Sequence, residues 1–247
     1  KVANFRVYDK FVGEDQALEI WDAQKDTFRG VKNSATLHKG RLGIGTTEPE
    51  GRLAVLDEPN GLEEFPPRAM SDDKTYIEGH GVFRASASSN IGGWRPWAAF
   101  NHIVGNEGYH SGSGDSYTNG TYDGTNSLGG YSGAWISLEL PYKIRIDTFK
   151  IATRVGWPHR GPVTGVLLAS NDNVHWDKLH DWSSVTFTDY QYTNFKVNNT
   201  DKYSHFAIVA TALDLSNSNA NSLQISEWRL FGTREQGQSV LHDGQLT

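Results

Sequence analysis

The sequence predicts an all-β fold, an antiparallel β-sandwich of the jelly-roll kind with flanking short-stranded β fibre or collar segments. Three observations predict it. Strand-like runs between residues 75 and 233 alternate apolar and polar residues, the pattern of a strand with one buried face. The chain holds 26 glycines among 247 residues, with many Asn, Ser and Thr, and such residues supply turn conformations. No stretch has the periodicity of an amphipathic helix.

Seven runs are the strand candidates of this sandwich. They span residues 81–86, 134–140, 144–152, 164–169, 193–197, 205–211 and 223–231. The segment 105–133 between the first two runs is long, glycine-rich and polar. Loops of that length in compact domains tend to be functional or disordered, so this one is a candidate for a binding role.

The segments before the sandwich have a different character. Residues 1–56 hold short strand-like pieces between polar turns, and a monomer of this size would bury too little surface to be stable. We therefore expect a β-rich fibre or collar segment that trimerises. Residues 57–74 are predicted to be a linker because Pro59, Pro66 and Pro67 interrupt strand pairing.

The segment after the sandwich repeats a pattern from before it. Leu241-His-Asp-Gly-Gln-Leu246 matches Leu37-His-Lys-Gly-Arg-Leu42 in type and order. We therefore expect residues 234–247 to begin a further shaft segment, so that the sandwich, residues 75–233, is an insertion between two parts of a fibre.

Composition excludes several classes of partner. The net charge is −6 with acids and bases interspersed, so no basic field attracts nucleic acid. No run of about 18 apolar residues is present, which argues against membrane insertion. The absence of cysteine fits a protein assembled in a reducing cytosol and used outside the cell. We expect it at a virion surface, or extracellular at a cell surface.

No motif indicates catalysis. The chain lacks G-x-S-x-G, H-E-x-x-H and a P-loop, and its nine histidines show no ligand spacing. A glycosidase needs two carboxylates across a cleft, and no pair stands at matched strand ends. The expectation is that this chain is not an enzyme.

A series of short stretches has the order and spacing of one known family. They are Ala85-Ser-Ala-Ser-Ser89, Pro96-Trp-Ala-Ala-Phe-Asn-His102, Gly133-Ala-Trp-Ile-Ser-Leu-Glu-Leu140, Ile144-Arg-Ile-Asp-Thr-Phe-Lys-Ile151, Leu168-Ala-Ser-Asn-Asp-Asn-Val-His-Trp176 and Ile225-Ser-Glu-Trp-Arg-Leu-Phe-Gly232. Together, over about residues 78–233, they resemble a discoidin domain, also called the coagulation-factor type C or galactose-binding-like domain. The most specific element is S-x-D-x-x-x-W from Ser170 to Trp176.

The resemblance implies that loops at one end of the sandwich bind the ligand. It also implies a structural calcium site formed by the loop holding Asn101 and by the carboxylate of Glu227; no other cofactor is expected. This sequence has Asn101-His102 where the family usually has Asp-Gly. A salt bridge to an arginine is the alternative role for Glu227, because a buried carboxylate needs a partner.

A second resemblance lies in the first segment. Leu42-Gly-Ile-Gly-Thr-Thr-Glu-Pro49, followed by Gly51-Arg-Leu-Ala-Val55, resembles the GIGTT-x-P segment of trimeric fibre and tail proteins of bacteriophages, algal large DNA viruses and bacterial adhesins. The resemblance implies a homotrimer. Gly43 and Gly45 would permit close backbone approach near an axis.

Two loops hold the main candidates for carbohydrate binding. Residues 92–97 include Trp94 and Arg95, and residues 156–161 include Trp157, His159 and Arg160. An indole face suits the C–H face of a sugar, and Arg or His can donate to hydroxyl, carboxylate or sulfate groups. The alternative is that these indoles only plug the end of the sandwich.

The long loop adds two more candidates. Residues 112–126 are rich in Gly, Ser, Tyr and Asn, a composition that resembles adaptable binding loops. We therefore add Tyr117 and Tyr122 to the predicted carbohydrate site. Asp115 and Asp123 in the same loop offer oxygens to calcium as an alternative.

The leading hypothesis is a non-enzymatic homotrimeric fibre or surface protein that attaches to a cell-surface glycan. Its partners would be that glycan, further copies of itself and other virion or fibre proteins. Two alternatives stay open: a structural virion or fibre building block without a sugar ligand, and a fibre-borne polysaccharide depolymerase.

Overall fold

A computed structural model describes residues 62–234 with side chains, and the backbone of five short strands outside that range. The chain divides into two compact units, residues 1–60 with 236–247 and residues 61–235. The first holds a five-stranded sheet in the order β1-β2-β3-β19-β20. The strands are β1 (Ala35–His38), β2 (Arg41–Ile44), β3 (Leu53–Val55), β19 (Ser239–His242) and β20 (Gln245–Leu246).

The regular secondary structure of the second unit is almost entirely β-strand, and the prediction of an antiparallel β-sandwich is confirmed. Its elements, in chain order, are β4 (Glu63–Phe65), β5 (Lys74–Ile77), β6 (Gly81–Ala87), the 3₁₀ helix η1 (Pro96–Phe100), β7 (Tyr109–His110), β8 (Tyr117–Thr118), β9 (Thr121–Tyr122), β10 (Ser127–Leu128), β11 (Tyr131–Ser132), β12 (Ala134–Ala152), the 3₁₀ helix η2 (Pro158–Arg160), β13 (Thr164–Ser170), β14 (Asp177–Trp182), β15 (Thr193–Lys196), β16 (Tyr203–Ala212), β17 (Gln224–Ile225) and β18 (Glu227–Arg234). No helix among the described residues is long and apolar enough to cross a membrane.

Strand β12 joins the two layers of the sandwich. Its first half pairs antiparallel with β16 and β6, and its second half pairs with β18 and β15. The pairing with β16 is irregular between Glu139 and Ile144, where the strand passes from one layer to the other. The sequence predicts two strands here, and the structure has one continuous strand.

The core lies between the two layers and is built from alternating side chains. Ile136 and Leu138 of the first half of β12 and Phe149 and Ile151 of its second half are fully buried. Trp228 of β18 is also fully buried and packs on Phe100, with ring centroids 5.4 Å apart. Burial of several such aromatic side chains, each about 150–250 Å², explains how a sequence of modest apolar content forms a core.

The predicted linker is partly wrong. Phe65 is fully buried and lies opposite Leu230 in the β4–β18 ladder, and Met70 is buried as well. The compact unit therefore begins near Gly61 rather than at residue 75. Pro66 and Pro67 do end the strand, as prolines do, but β4 is already paired before them.

Four loop regions meet at one end of the sandwich. Strand β16 ends beside the start of β12, where Ala210 lies opposite Ala134. The N–H of Asp214, just after β16, donates to the carbonyl of His159, just after β12, so both ends of β12 lie at this end. The regions are residues 88–95 after β6, 109–133 before β12, 153–163 after β12 and 213–223 after β16.

Candidate functional site

Two indoles and two guanidinium groups stack at this end of the sandwich. The guanidinium carbon of Arg154 lies 4.5 Å from the ring centroid of Trp94 and 6.0 Å from that of Trp157. The guanidinium carbon of Arg160 lies 4.1 Å from the Trp157 centroid. The imidazole of His110 meets Trp94 edge to face at 6.2 Å. We call these five residues the indole–arginine cluster.

Local backbone geometry explains why three of these side chains line up. The N–H of Trp157 donates to the carbonyl of Arg154, and that of Arg160 donates to the carbonyl of Trp157, both at 3.0 Å. Hydrogen bonds from each residue to the third before it give a turn in which side chains three apart lie above one another. Pro158, the first residue of η2, has the fixed φ that such a turn needs.

Backbone carbonyls hold both guanidinium groups from one side. Arg154 Nε donates to the carbonyl of Asn106, and Arg160 Nε donates to the carbonyl of Asn219, each at 3.0 Å. Neither arginine forms an ion pair with a carboxylate among residues 62–234. Their terminal Nη groups therefore remain available to a ligand.

His110 completes the cluster as a neutral hydrogen-bonding group. Burial, then the positive charges of Arg160 and Arg154, lower its pKa to about 4. Its Nε2 lies 2.8 Å from Ser222 Oγ and 3.2 Å from Nε2 of the fully buried Gln224. Gly108 permits this placement, since a Cβ there would lie 2.3 Å from the carbonyl oxygen of Ile225.

A groove of about 540 Å³ adjoins the cluster through His159. His159 packs on Trp157 with centroids 5.6 Å apart, and Leu215 on the opposite wall is largely exposed. His159 Nε2 is buried without a hydrogen-bond partner among the described residues. Its pKa is lowered by burial first and then by Arg160, an effect that Asp214 partly offsets. A neutral imidazole with a free nitrogen in a groove of this size suits a ligand hydroxyl.

The structure brings four of the predicted carbohydrate-site residues together and separates the others. Trp94, Trp157, His159 and Arg160 lie in the cluster or its groove. Arg95 points elsewhere: its Nε pairs with Asp73 Oδ2 at 3.2 Å.

Tyr117 and Tyr122 are structural residues rather than ligand contacts. Tyr117 is only 3% exposed, and its hydroxyl donates to the carbonyl of Ala210 at 2.7 Å and accepts from the N–H of Ala134 at 3.1 Å. The hydroxyl of Tyr122 donates to Asp115 Oδ1 at 3.0 Å and accepts from the N–H of Asn126 at 2.8 Å. Neither hydroxyl is free for a ligand, so the structure does not favour the predicted role of these tyrosines in sugar binding.

A buried carboxylate organises the long loop. Asp115 is fully buried and accepts hydrogen bonds from the hydroxyls of Ser88, Ser89 and Tyr122 and from the amide of Asn126. These donors occupy the oxygens that the sequence offered to calcium.

The residues at the implied calcium position fit the ion only in part. Asn101 Oδ1 accepts a hydrogen bond from the N–H of Ile103 at 2.9 Å. Glu227 Oε1 lies 3.5 Å from Arg229 Nε, and Arg229 Nη1 lies 3.3 Å from Glu64 Oε1. Calcium takes about six to eight oxygen ligands, whereas an arginine faces this carboxylate. No group of three His, Cys, Asp or Glu side chains placed to hold a metal occurs within the described ranges. Arg229 faces Glu227, but both oxygens of this carboxyl are buried without a hydrogen-bond partner among the described residues, so the arginine satisfies it only in part.

Glu227 gives the fold a predicted pH dependence. Burial, only partly offset by Arg229, raises the pKa of its carboxyl from 4.5 to about 8. Above about pH 4.5 the folded protein keeps a proton that the unfolded chain releases. The contribution of this carboxyl to the free energy of unfolding is therefore fully present below about pH 4.5 and is lost as the pH rises through about 8. Between about pH 5 and pH 9 we expect the melting temperature of the native chain to fall by a few degrees relative to Glu227→Gln, measured by calorimetry. Parallel pH profiles of the two proteins would contradict this.

Two residues of the cluster were missed by sequence reasoning. Arg154 has a recognisable signal, the spacing Arg154-x-x-Trp157-x-x-Arg160 before and within η2. His110 has none, because its contacts with Trp94 and Gln224 join residues far apart in the chain. Only the fold brings them together.

Comparison with known proteins finds no matching family model and no matching curated protein. Among solved structures, the chain is similar to a family 32 carbohydrate-binding module from Clostridium perfringens in complex with GalNAc-β-1,3-galactose, with 18% identity over 61% of this chain and 95% of that chain and a TM-score of 0.45. A family 32 module from the same organism in complex with galactose has 14% identity over 60% and 93% of the two chains, with a TM-score of 0.44. A fucolectin from striped bass, Morone saxatilis, has 14% identity over 61% and 45%, with a TM-score of 0.44. These neighbours are carbohydrate-binding modules and a lectin; the assignment of the fold here rests on the strand pairing itself.

Proposed function

We propose that this chain is a non-catalytic surface protein whose sandwich binds carbohydrate through the indole–arginine cluster. The observation that carries the proposal is the convergence of Trp94, Arg154, Trp157 and Arg160, with free Nη donors, beside a groove with an unpartnered histidine nitrogen. Such a mixture of apolar rings and convergent polar groups is typical of ligand sites. The cluster contains no carboxylate, so it offers neither of the two acids that glycoside hydrolysis needs.

A glycan array probed with the whole chain tests this proposal. We expect binding by the native chain, loss of binding by Trp157→Ala and Arg160→Ala, and no new reducing ends when polysaccharide is incubated with the protein. Absence of any glycan binding would favour the structural building block. New reducing ends would favour the depolymerase.

Arg95→Ala is the matched control for the cluster variants. Arg95 neighbours Trp94 in the chain but is half-exposed and pairs with Asp73. We expect less than about a twofold change in glycan affinity and a loss of stability of about 0–1 kcal/mol. Affinity by calorimetric titration checks this, and a loss as large as that of Arg160→Ala would show that the site extends to Arg95.

The attachment role that we propose rests on the first unit. Strand β3 lies before the sandwich and β19 after it in the chain, and the two pair antiparallel from Leu53–Leu241 to Val55–Ser239. This pairing supports a sandwich inserted into a fibre or collar, on which three copies would raise weak sugar affinity by avidity. Sedimentation velocity should give a trimer; a monomer would remove the fibre, virion and host-attachment part of the proposal.

A further inference from the structure

The two guanidinium groups of the cluster have no carboxylate partner among residues 62–234, whereas most arginines of that range have one. Five of the six other arginines in the described range pair with an acid: Arg84 with Glu139, Arg95 with Asp73, Arg145 with Asp147, Arg229 with Glu64 and Glu227, and Arg234 with Glu63. The sixth, Arg68, is exposed to solvent. Arg154 and Arg160 form no such pair within residues 62–234, although the chain as a whole carries a net charge of −6.

The two unpaired charges also lie close enough to oppose each other. Both guanidinium groups contact the ring of Trp157. Burial and then the charge of Arg154 lower the pKa of Arg160. Two carboxylates lie near this region without pairing with either arginine: Asp214 interacts with His159 and is held by Ser216, and Asp189 accepts a hydrogen bond from the N–H of Gly156. The two guanidinium groups therefore lie close together, and neither has a direct carboxylate partner among residues 62–234.

The free nitrogens have the geometry that an anionic group needs. Each arginine uses Nε for a backbone carbonyl, which leaves its planar pair of Nη groups free. Such forks bind carboxylate and sulfate oxygens by charge-assisted hydrogen bonds that are about twice as strong as neutral ones. His159, whose Nε2 has no hydrogen-bond partner among the described residues, remains for a ring hydroxyl.

We infer that the ligand is an acidic sugar whose carboxylate or sulfate group binds to Arg154 and Arg160. The inference rests on the proposed function and adds the class of sugar. Binding of the anion would neutralise the two like charges, which a neutral sugar does not do.

An array of matched glycans tests the inference with the whole chain. Each scaffold is presented in a neutral form, a carboxylated form (uronic acid or sialylated) and a sulfated form. We expect at least one acidic form to bind about tenfold or more tightly than its neutral parent, a difference of about 1.4 kcal/mol. The carboxylate and sulfate arms identify which anion is preferred, and the preference should shrink as salt rises.

Arg160→Gln separates charge from hydrogen bonding, with Arg84→Gln as the control that alters a paired arginine. Arg160→Gln should abolish the preference, so that acidic forms bind no more tightly than their neutral parents, and Arg84→Gln should keep the preference of the native chain. Equal or tighter binding of neutral parents by the native chain would overturn the inference and leave carbohydrate binding intact. Binding to no glycan at all would instead overturn the proposed function.

Discussion

Arg154→Ala/Arg160→Ala is expected to weaken glycan binding by about 100-fold or more. Hydrogen bonds to charged groups contribute about 1.5–3 kcal/mol each, and both guanidinium groups present two free Nη groups to the ligand. Because the two side chains share Trp157, their effects need not add. Calorimetric titration of the native chain, both single variants and the double variant measures the loss.

The double variant should still fold. Both arginines lie at the surface of the loop end, and each loses one backbone hydrogen bond and an indole contact of about 0.5–1 kcal/mol. Its melting temperature should therefore fall by only a few degrees. Native affinity in a folded double variant would exclude the cluster as the binding site.

Asp115→Ala is expected to destabilise the sandwich by about 3–5 kcal/mol. The carboxylate is fully buried, and its removal leaves the hydroxyls of Ser88, Ser89 and Tyr122 and the amide of Asn126 without their acceptor. Removing one partner from a buried charged network has a cost of that size. For a domain of this length the melting temperature should fall by roughly 10 °C, measured by calorimetry or circular dichroism.

Asp123→Ala is the matched control for Asp115→Ala. Asp123 belongs to the same loop and bonds the hydroxyl of Thr118, but its carboxylate is exposed to water. Its loss should change the melting temperature far less. A similar melting temperature for both variants would show that Asp115 does not organise the loop.

The strands of the sandwich could be predicted because their signal is local. Residues 164–169 and 205–211 contain continuous apolar runs, and β13 and β16, which are buried over most of their length, form there. The linker prediction failed where the signal was not local. Pro66 and Pro67 are conspicuous in the sequence, whereas the pairing of Phe65 with Leu230 is visible only in the fold.

Part of the site could be predicted because some of its residues have a local signal in the sequence. Trp94, Trp157 and Arg160 stand in loops whose turn residues are visible, so they could be named. Tyr117 could not be told from a surface tyrosine, because its partner Ala210 lies 93 residues away. The composition of its loop reflects the donors that surround Asp115 rather than a ligand surface.

A crystal structure of the whole chain with the tightest-binding glycan of the array is the most direct test of whether the indole–arginine cluster binds an acidic sugar. We expect the sugar to lie at the loop end of the sandwich. An Nη group of Arg154 and one of Arg160 should be within hydrogen-bond distance of its acidic group, and His159 Nε2 should face the sugar. A sugar bound elsewhere on the sandwich, without contact to the guanidinium groups of Arg154 and Arg160, would contradict this expectation.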